Sequence, residues 1–315
     1  MNNLQLLFKA TPVLLLLSGF LLTAQAQKLK SVQEGNMRAP ANIKIDGKLN
    51  EWDDTFQAYN NVTDLFYTVS NDDKNLYFTI KAGSRIIANK LLAGGISFAI
   101  NITGQKKDKE AYKVIFPLID PDTGRIQMGL PQFILRGNAL VFFDGPSAAA
   151  PTGFRNDPMD SAAIVTMRKR VNHASREIKL INFPTAELPD SVISVYNESG
   201  FKAALGVDVK GSLGLELAIP LKYLKLSADD PKEFAYNIKL NGLDATAAAK
   251  GRNPPPFMGD GMGGPPPGMD GDAPPPPPPP GAANPGPARR MPSVVDMQNM
   301  TSATDLWGKY ILAKK

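Results

Sequence analysis

From Val62 onward the chain is built of short runs that alternate apolar and polar residues, with turn-forming residues between them. That period of two is the strongest constraint on what it can fold into. DLFYTVS (Asp64 to Ser70) and NLYFTIKA (Asn75 to Ala82) flank Asn71-Asp72-Asp73-Lys74, a hairpin connection. GISFAINIT (Gly95 to Thr103) and AYKVIFPL (Ala111 to Leu118) flank a polar tip from Gly104 to Lys109, and FKAALGVDV (Phe201 to Val209) and GLELAIP (Gly214 to Pro220) flank Lys210-Gly211. Further strands are predicted at ALVFFD near Val141, AAIVTMRKR near Val165, EIKLINF near Leu180, SVISVYN near Ile193 and Phe234 to Leu240. Upstream, Ile43 and Ile45 alternate with polar neighbours as a half-buried edge strand would, and Asp46-Gly47 supplies a turn. Leu49 and Trp52 lie three apart, so one helical turn would point both at the same core. Helical signal is sparse; Pro220-Leu224 opens a short helix, where proline is tolerated in the first turn. The expectation is an all-β fold, an antiparallel β-sandwich with one short helix.

The pattern breaks between Pro254 and Pro292, where sixteen prolines, seven of them consecutive from Pro274 to Pro280, are interleaved with glycines. Proline removes ladder donors and glycine adds chain entropy, so this stretch is expected to be disordered and polyproline-like. Alternation resumes at TDLWGKYILAKK (Thr304 to Lys315), which makes the proline-rich stretch an insertion within one domain. Closure entropy grows slowly with loop length, so the fold can carry it. At the other end, Lys9, the apolar run Val13 to Leu22 and Ala24-Gln25-Ala26 read as a secretion signal cleaved near Ala26-Gln27. The domain plan is therefore a signal peptide over 1–26, an N-terminal extension over 27–40, and one sandwich domain over 41–315 interrupted by a Pro/Gly/Met-rich insertion over 251–300. A secreted or periplasmic protein is expected, without a membrane span in the mature chain and, with no cysteine, without a lipoprotein anchor. The formal net charge is +5, with both signs interspersed, which argues against a nucleic-acid partner.

Several of these segments, in order, resemble the family 9 carbohydrate-binding modules and their DOMON-like relatives. IDGKLNEW is similar to the family's opening turn followed by Leu and Trp. VSNDDKNLYFTIKA looks like its first hairpin, GISFAINI its next strand, LELAIPLKYLKL its late strand running into a short helix, and WGKYIL its final strand. The resemblance implies a non-catalytic saccharide-binding sandwich that stacks aromatic rings on the apolar faces of a sugar and hydrogen-bonds the hydroxyls. It also implies a structural calcium in some members. On this view the ligand-binding candidates are Trp307, Trp52, Tyr112 and Tyr67, with Tyr77 and Phe143 behind them. Core packing is the competing reading for each.

Other constellations are weaker. Asp46, Glu51, Asp53 and Asp54 form an acidic turn that would suit calcium, with a solvated turn as the alternative. Asp120 and Asp122 form a second one. His173, the single histidine, lies between Arg170 and Arg176 in a stretch that reads as a polar loop, without a nucleophile context. Met258, Met262 and Met269 offer soft thioethers for cuprous ion, against low-complexity drift. No carboxylate pair stands out for glycoside hydrolysis. The alternatives to sugar binding are a protein–protein module acting through the proline-rich segment and a DOMON-like cofactor binder, whose heme would call for Met or His ligands.

Overall fold

The computed structural model describes residues 29–53, 55–118, 159–242 and 299–315, together with the backbone of two strands between 131 and 144. In chain order the elements are β1 (Ala58–Asn60), β2 (Leu65–Asn71), β3 (Asn75–Ala82), α1 (Arg85–Gly94), β4 (Ile96–Asn101) and β5 (Tyr112–Phe116). After the hairpin of β6 (Gln132–Arg136) and β7 (Ala139–Phe143) come α2 (Ser161–Ala174), β8 (Glu177–Ile181), β9 (Val192–Ser194), β10 (Lys202–Val207) and β11 (Leu213–Pro220). The chain then runs through α3 (Leu221–Leu224), β12 (Phe234–Leu240) and β13 (Thr304–Tyr310). Every pairing between these strands is antiparallel. One sheet is ordered β1-β2-β3-β11-β10, the other β13-β12-β4-β5-β8-β9, and β6-β7 stand as a separate ribbon.

The two large sheets pack face to face as a sandwich. Leu65, Tyr67 and Val69 on β2, and Leu76, Phe78 and Ile80 on β3, point inward, as do Phe98 and Ile100 on β4 and Tyr236 and Ile238 on β12. Phe78 meets Phe98 with ring centroids 4.9 Å apart and Tyr236 at 6.0 Å. The Tyr67 and Tyr236 hydroxyls lie 3.3 Å apart, so these two polar groups satisfy each other inside the core.

The hairpin predictions hold around residues 72–74, 104–109 and 210–211. Three predictions change. AAIVTMRKR is helical: Asp160 caps α2 by accepting from the Ala163 N–H at 2.7 Å. Met167 and Val171, four apart, are the buried pair facing β10, while Val165 is exposed. The apolar run imitated a strand because its first residues ignore the helical period. Residues 85–94 form a helix that alternation did not reveal, started by Ser84 accepting from the Ile87 N–H and followed by Gly95 at a φ of 71°. It connects β3 to β4, and its buried Lys90 donates to the Thr304 hydroxyl at 3.2 Å, with burial lowering the ammonium pKa. Finally, Ile43 and Ile45 lie in a loop, not in a strand.

Residues 30–39, which precede the expected domain start, run along an edge of the sandwich. The Ala39 N–H donates to Asn71 O and the Asn71 N–H to Met37 O, at 2.9 and 3.1 Å. The Gln33 side chain accepts from the Val69 N–H at 2.7 Å and donates to Val69 O at 2.8 Å, supplying the ladder bonds that β1 is too short to reach. Met37 exchanges two hydrogen bonds with the Tyr310 hydroxyl on β13, so this segment ties the free edge of one sheet to that of the other. Covering such edges removes a template for unwanted strand pairing.

Candidate functional site

The opening motif IDGKLNEW is a strap across the outer face of the five-stranded sheet. Leu213, Leu215, Leu217 and Ile219 of β11 face the core, so Gly214, Glu216 and Ala218 face the other way. Gly47, at a φ of 78°, lies backbone to backbone on β10, and a Cβ added to Gly206 would sit 1.9 Å from Gly47 O. Leu49 rests on Gly214. Leu49–Trp52 forms one 3-10 turn that presents Trp52 to Glu216. Glu216 is fully buried, and its carboxylate accepts from the Asp46 and Gly47 N–H groups at 3.1 and 3.0 Å and from Trp52 Nε1 at 3.4 Å. Trp52 is thus buried, yet outside the inter-sheet core to which sequence spacing assigned it.

Burial pushes the Glu216 carboxyl up to about 7, and the charge of nearby Glu51 pushes the same way, against the three donors that pull it down. The folded-state pKa stands above the unfolded value. The folded chain therefore holds the proton more tightly between the two, and this group's contribution to stability is full below about pH 4.5 and is lost as pH rises through 7. Urea unfolding of the wild type is expected to weaken by on the order of 2 kcal/mol from pH 5 to pH 8 through this group. A Glu216→Gln variant should lose that slope. An unchanged slope in the variant would assign the pH dependence elsewhere.

The four aromatic candidates lie on four different surfaces and cannot form one site. Trp52 is on the outer face of the five-stranded sheet. Tyr67 is on the inner face of that sheet, fully buried, its hydroxyl accepting from the Gln33 N–H. Tyr112 pairs with Ile100 on the inner side of the six-stranded sheet, half-buried, its ring 5.2 Å from Phe183. Trp307 is on the outer face of the six-stranded sheet. Tyr77 is also buried, and its hydroxyl donates to Asp72 at 2.6 Å.

Among the acidic candidates, Asp46 accepts from the Lys48 N–H and pairs with its ammonium at 3.5 Å, so it shapes its own turn. Asp53 is exposed, with a left-handed φ of 47°. No three His, Asp or Glu side chains converge as a metal site among the described residues. His173 is exposed on the last turn of α2, on a helix and not in a loop. Asp54, Asp120, Asp122, Met258, Met262, Met269, the proline-rich segment and the signal segment lie outside the described residues, as does the side chain of Phe143. Among the described residues no helix is long and apolar enough to cross a membrane.

One candidate keeps a usable surface. Register places Trp307, Asn237, Ala99 and Lys113 in a row across β13, β12, β4 and β5. Trp307 is half-buried, while Asn237 and Ala99 beside it are small and buried, so the indole is the large apolar surface of that row. Asp305 and Lys309, two residues to either side on the same face, are exposed, as is Lys239 opposite Asp305. Asn237 Nδ2 donates to Asp305 Oδ2 at 2.7 Å, which fixes that carboxylate beside the ring. Lys309 pairs with Glu233, so the indole plate is flanked by an anchored carboxylate and a paired ammonium, a setting that suits a ligand with an apolar face and polar rim. Sequence reasoning passed over Tyr196, 91 % exposed on a turn pinned by Asn197, which donates to Ser194 O and Phe201 O at 2.8 and 2.9 Å. Compared with family models, curated proteins and solved structures, the chain matches none.

Proposed function

We propose that this chain is a secreted or periplasmic, non-catalytic saccharide-binding module, and that the outer face of the six-stranded sheet around Trp307 is its platform. The observation that carries this reading is the partly exposed indole beside the small, buried Asn237 and Ala99, with Asp305, Lys309 and Lys239 around it. A pyranose has apolar C–H faces and a belt of hydroxyls, and this surface offers one partner for each. The fold supports the reading by seating Trp307 on the edge strand β13, whose pairing with β12, itself paired with β4, keeps the row in register. The role proposed is binding alone.

Calorimetric titration of the folded, mature protein with a panel of neutral oligosaccharides tests the reading. Trp307→Ala should weaken binding by about tenfold or more, the loss of a stacking contact and its buried area. Its melting temperature should stay near that of wild type because the ring is outside the core. Absence of binding to every oligosaccharide, or an unchanged affinity in the variant, rejects the platform.

A further inference from the structure

The face that carries Trp307 continues past the end of its strand. Asp305, Trp307 and Lys309 share the outer side of β13, and the same alternation brings Ile311 to that side, 42 % exposed, while Tyr310 and Leu312 are buried. At the usual rise of a strand, Trp307 and Ile311 stand roughly 13 Å apart, two apolar surfaces with Lys309 between them. Lys309 and Ile311 also line an open cleft of about 500 Å³, within the range of small-molecule sites. The rest of its lining comes from residues 32–36, from Glu233 just before β12, and from Lys106 in the β4–β5 connection. Its charges balance, with Glu34 and Glu233 set against Lys106 and Lys309. Both acids are paired: Glu233 accepts from Lys309 at 2.5 Å, and Glu34 accepts from Lys30. Such a lining favours an uncharged ligand over an ion. Asn36, exposed beside the cleft, carries an amide donor and an amide acceptor. Gly35 leaves the wall open, since a Cβ there would meet nothing within 4 Å.

We propose that this cleft is a second subsite of the Trp307 platform, and that the ligand is a neutral oligosaccharide held along β13 through more than one sugar unit. One unit rests on the indole. A further unit reaches Ile311, with the Lys309 ammonium and the Asn36 amide on its hydroxyls. That the ligand is a saccharide rests on the function proposed above; its length and neutrality follow from the spacing of Trp307 and Ile311 and from the balanced lining.

The test is calorimetry with the mono-, di- and tetrasaccharides of the β-1,4-glucan, β-1,4-xylan and α-1,4-glucan series. The proteins compared are wild type, an Asn36→Ala/Ile311→Ala double variant and Trp307→Ala. In at least one series the tetrasaccharide should bind wild type about tenfold or more tightly than the monosaccharide. The double variant should lose most of that gain while binding the monosaccharide as wild type does. Its melting temperature should stay near that of wild type, because both residues are exposed. Equal affinity for mono- and tetrasaccharide, or a gain that survives in the double variant, overturns the subsite even where Trp307→Ala weakens every ligand. A platform failure has a different signature: Trp307→Ala would bind all ligands as wild type does while the double variant still lost the gain with chain length. Absence of binding in all three series overturns both.

Discussion

Glu216→Ala, measured by urea unfolding at pH 5, is expected to cost about 4 kcal/mol. At that pH the wild-type carboxyl is mostly protonated and carries no ionisation penalty, so the variant loses the acceptor and gains nothing in return. Three donors lose their partner together: the N–H groups of Asp46 and Gly47 and the Trp52 indole. A buried donor left unpaired costs about 1–3 kcal/mol. No water can readily replace the carboxylate, since Gly47 is seated directly on the β10 backbone. The strap should therefore lift, and Trp52 should become exposed. In a Trp307→Phe background, Trp52 is the only tryptophan, so its emission should shift to the red while far-ultraviolet circular dichroism keeps its sheet signal. The gap to wild type should narrow at pH 8, where the wild-type carboxylate bears the cost of ionisation. A loss under about 1 kcal/mol at pH 5, with Trp52 still buried, would mean that the carboxylate does not hold the strap.

This result also bears on what the sequence could reveal. The period of two made the hairpins of β2–β3, β4–β5 and β10–β11 legible, because one-faced burial prints alternation directly into a strand. IDGKLNEW was legible as a turn and a one-turn helix. Its destination was not, because the partner that decides it is Glu216, about 170 positions away and hidden inside a strand whose eight residues are all buried. An acid in the middle of LGLELAIP was the available signal: a carboxylate at a fully buried position needs donors. The helices failed for a different reason. Residues 161–165 contain Ala, Ile and Val, which suit a strand by composition, and only the cap at Asp160 and the spacing of Met167 and Val171 mark a helix. The aromatic candidates could be named but not sorted, since alternation tells which residues share a face without telling which face is covered. Trp52 and Trp307 are both on outer faces, and what distinguishes them is that Trp52 belongs to the strap itself and turns its ring to Glu216.

Asn71→Ala is expected to cost about 3 kcal/mol, because one buried amide joins the two ends of the described chain to the sheet. Its Oδ1 accepts from the Ala313 N–H at 2.7 Å and lies 3.2 Å from the Tyr310 hydroxyl, while its Nδ2 donates to Ala313 O at 3.1 Å and Asp72 O at 3.0 Å. The Tyr310 hydroxyl in turn donates to Met37 O, so loosening Asn71 frees residues on both sides of the sandwich edge. Hydrogen exchange should show the Ala313 and Met37 amides losing protection while those of β4 and β12 keep theirs. Asn71→Asp separates hydrogen bonding from packing, because it has nearly the same shape but turns the Nδ2 donor into an acceptor facing two carbonyl oxygens. Those oxygens should raise the pKa of the new carboxyl above its unfolded value. A raised acid stabilises below its unfolded pKa and loses that contribution as pH rises through the folded one. The deficit of Asn71→Asp against wild type should therefore be smaller at pH 4 than at pH 7, whereas that of Asn71→Ala should be nearly the same at both. If the aspartate deficit is also flat with pH, the amide acts through shape alone, and the closure of this edge depends on the Met37–Tyr310 contacts instead.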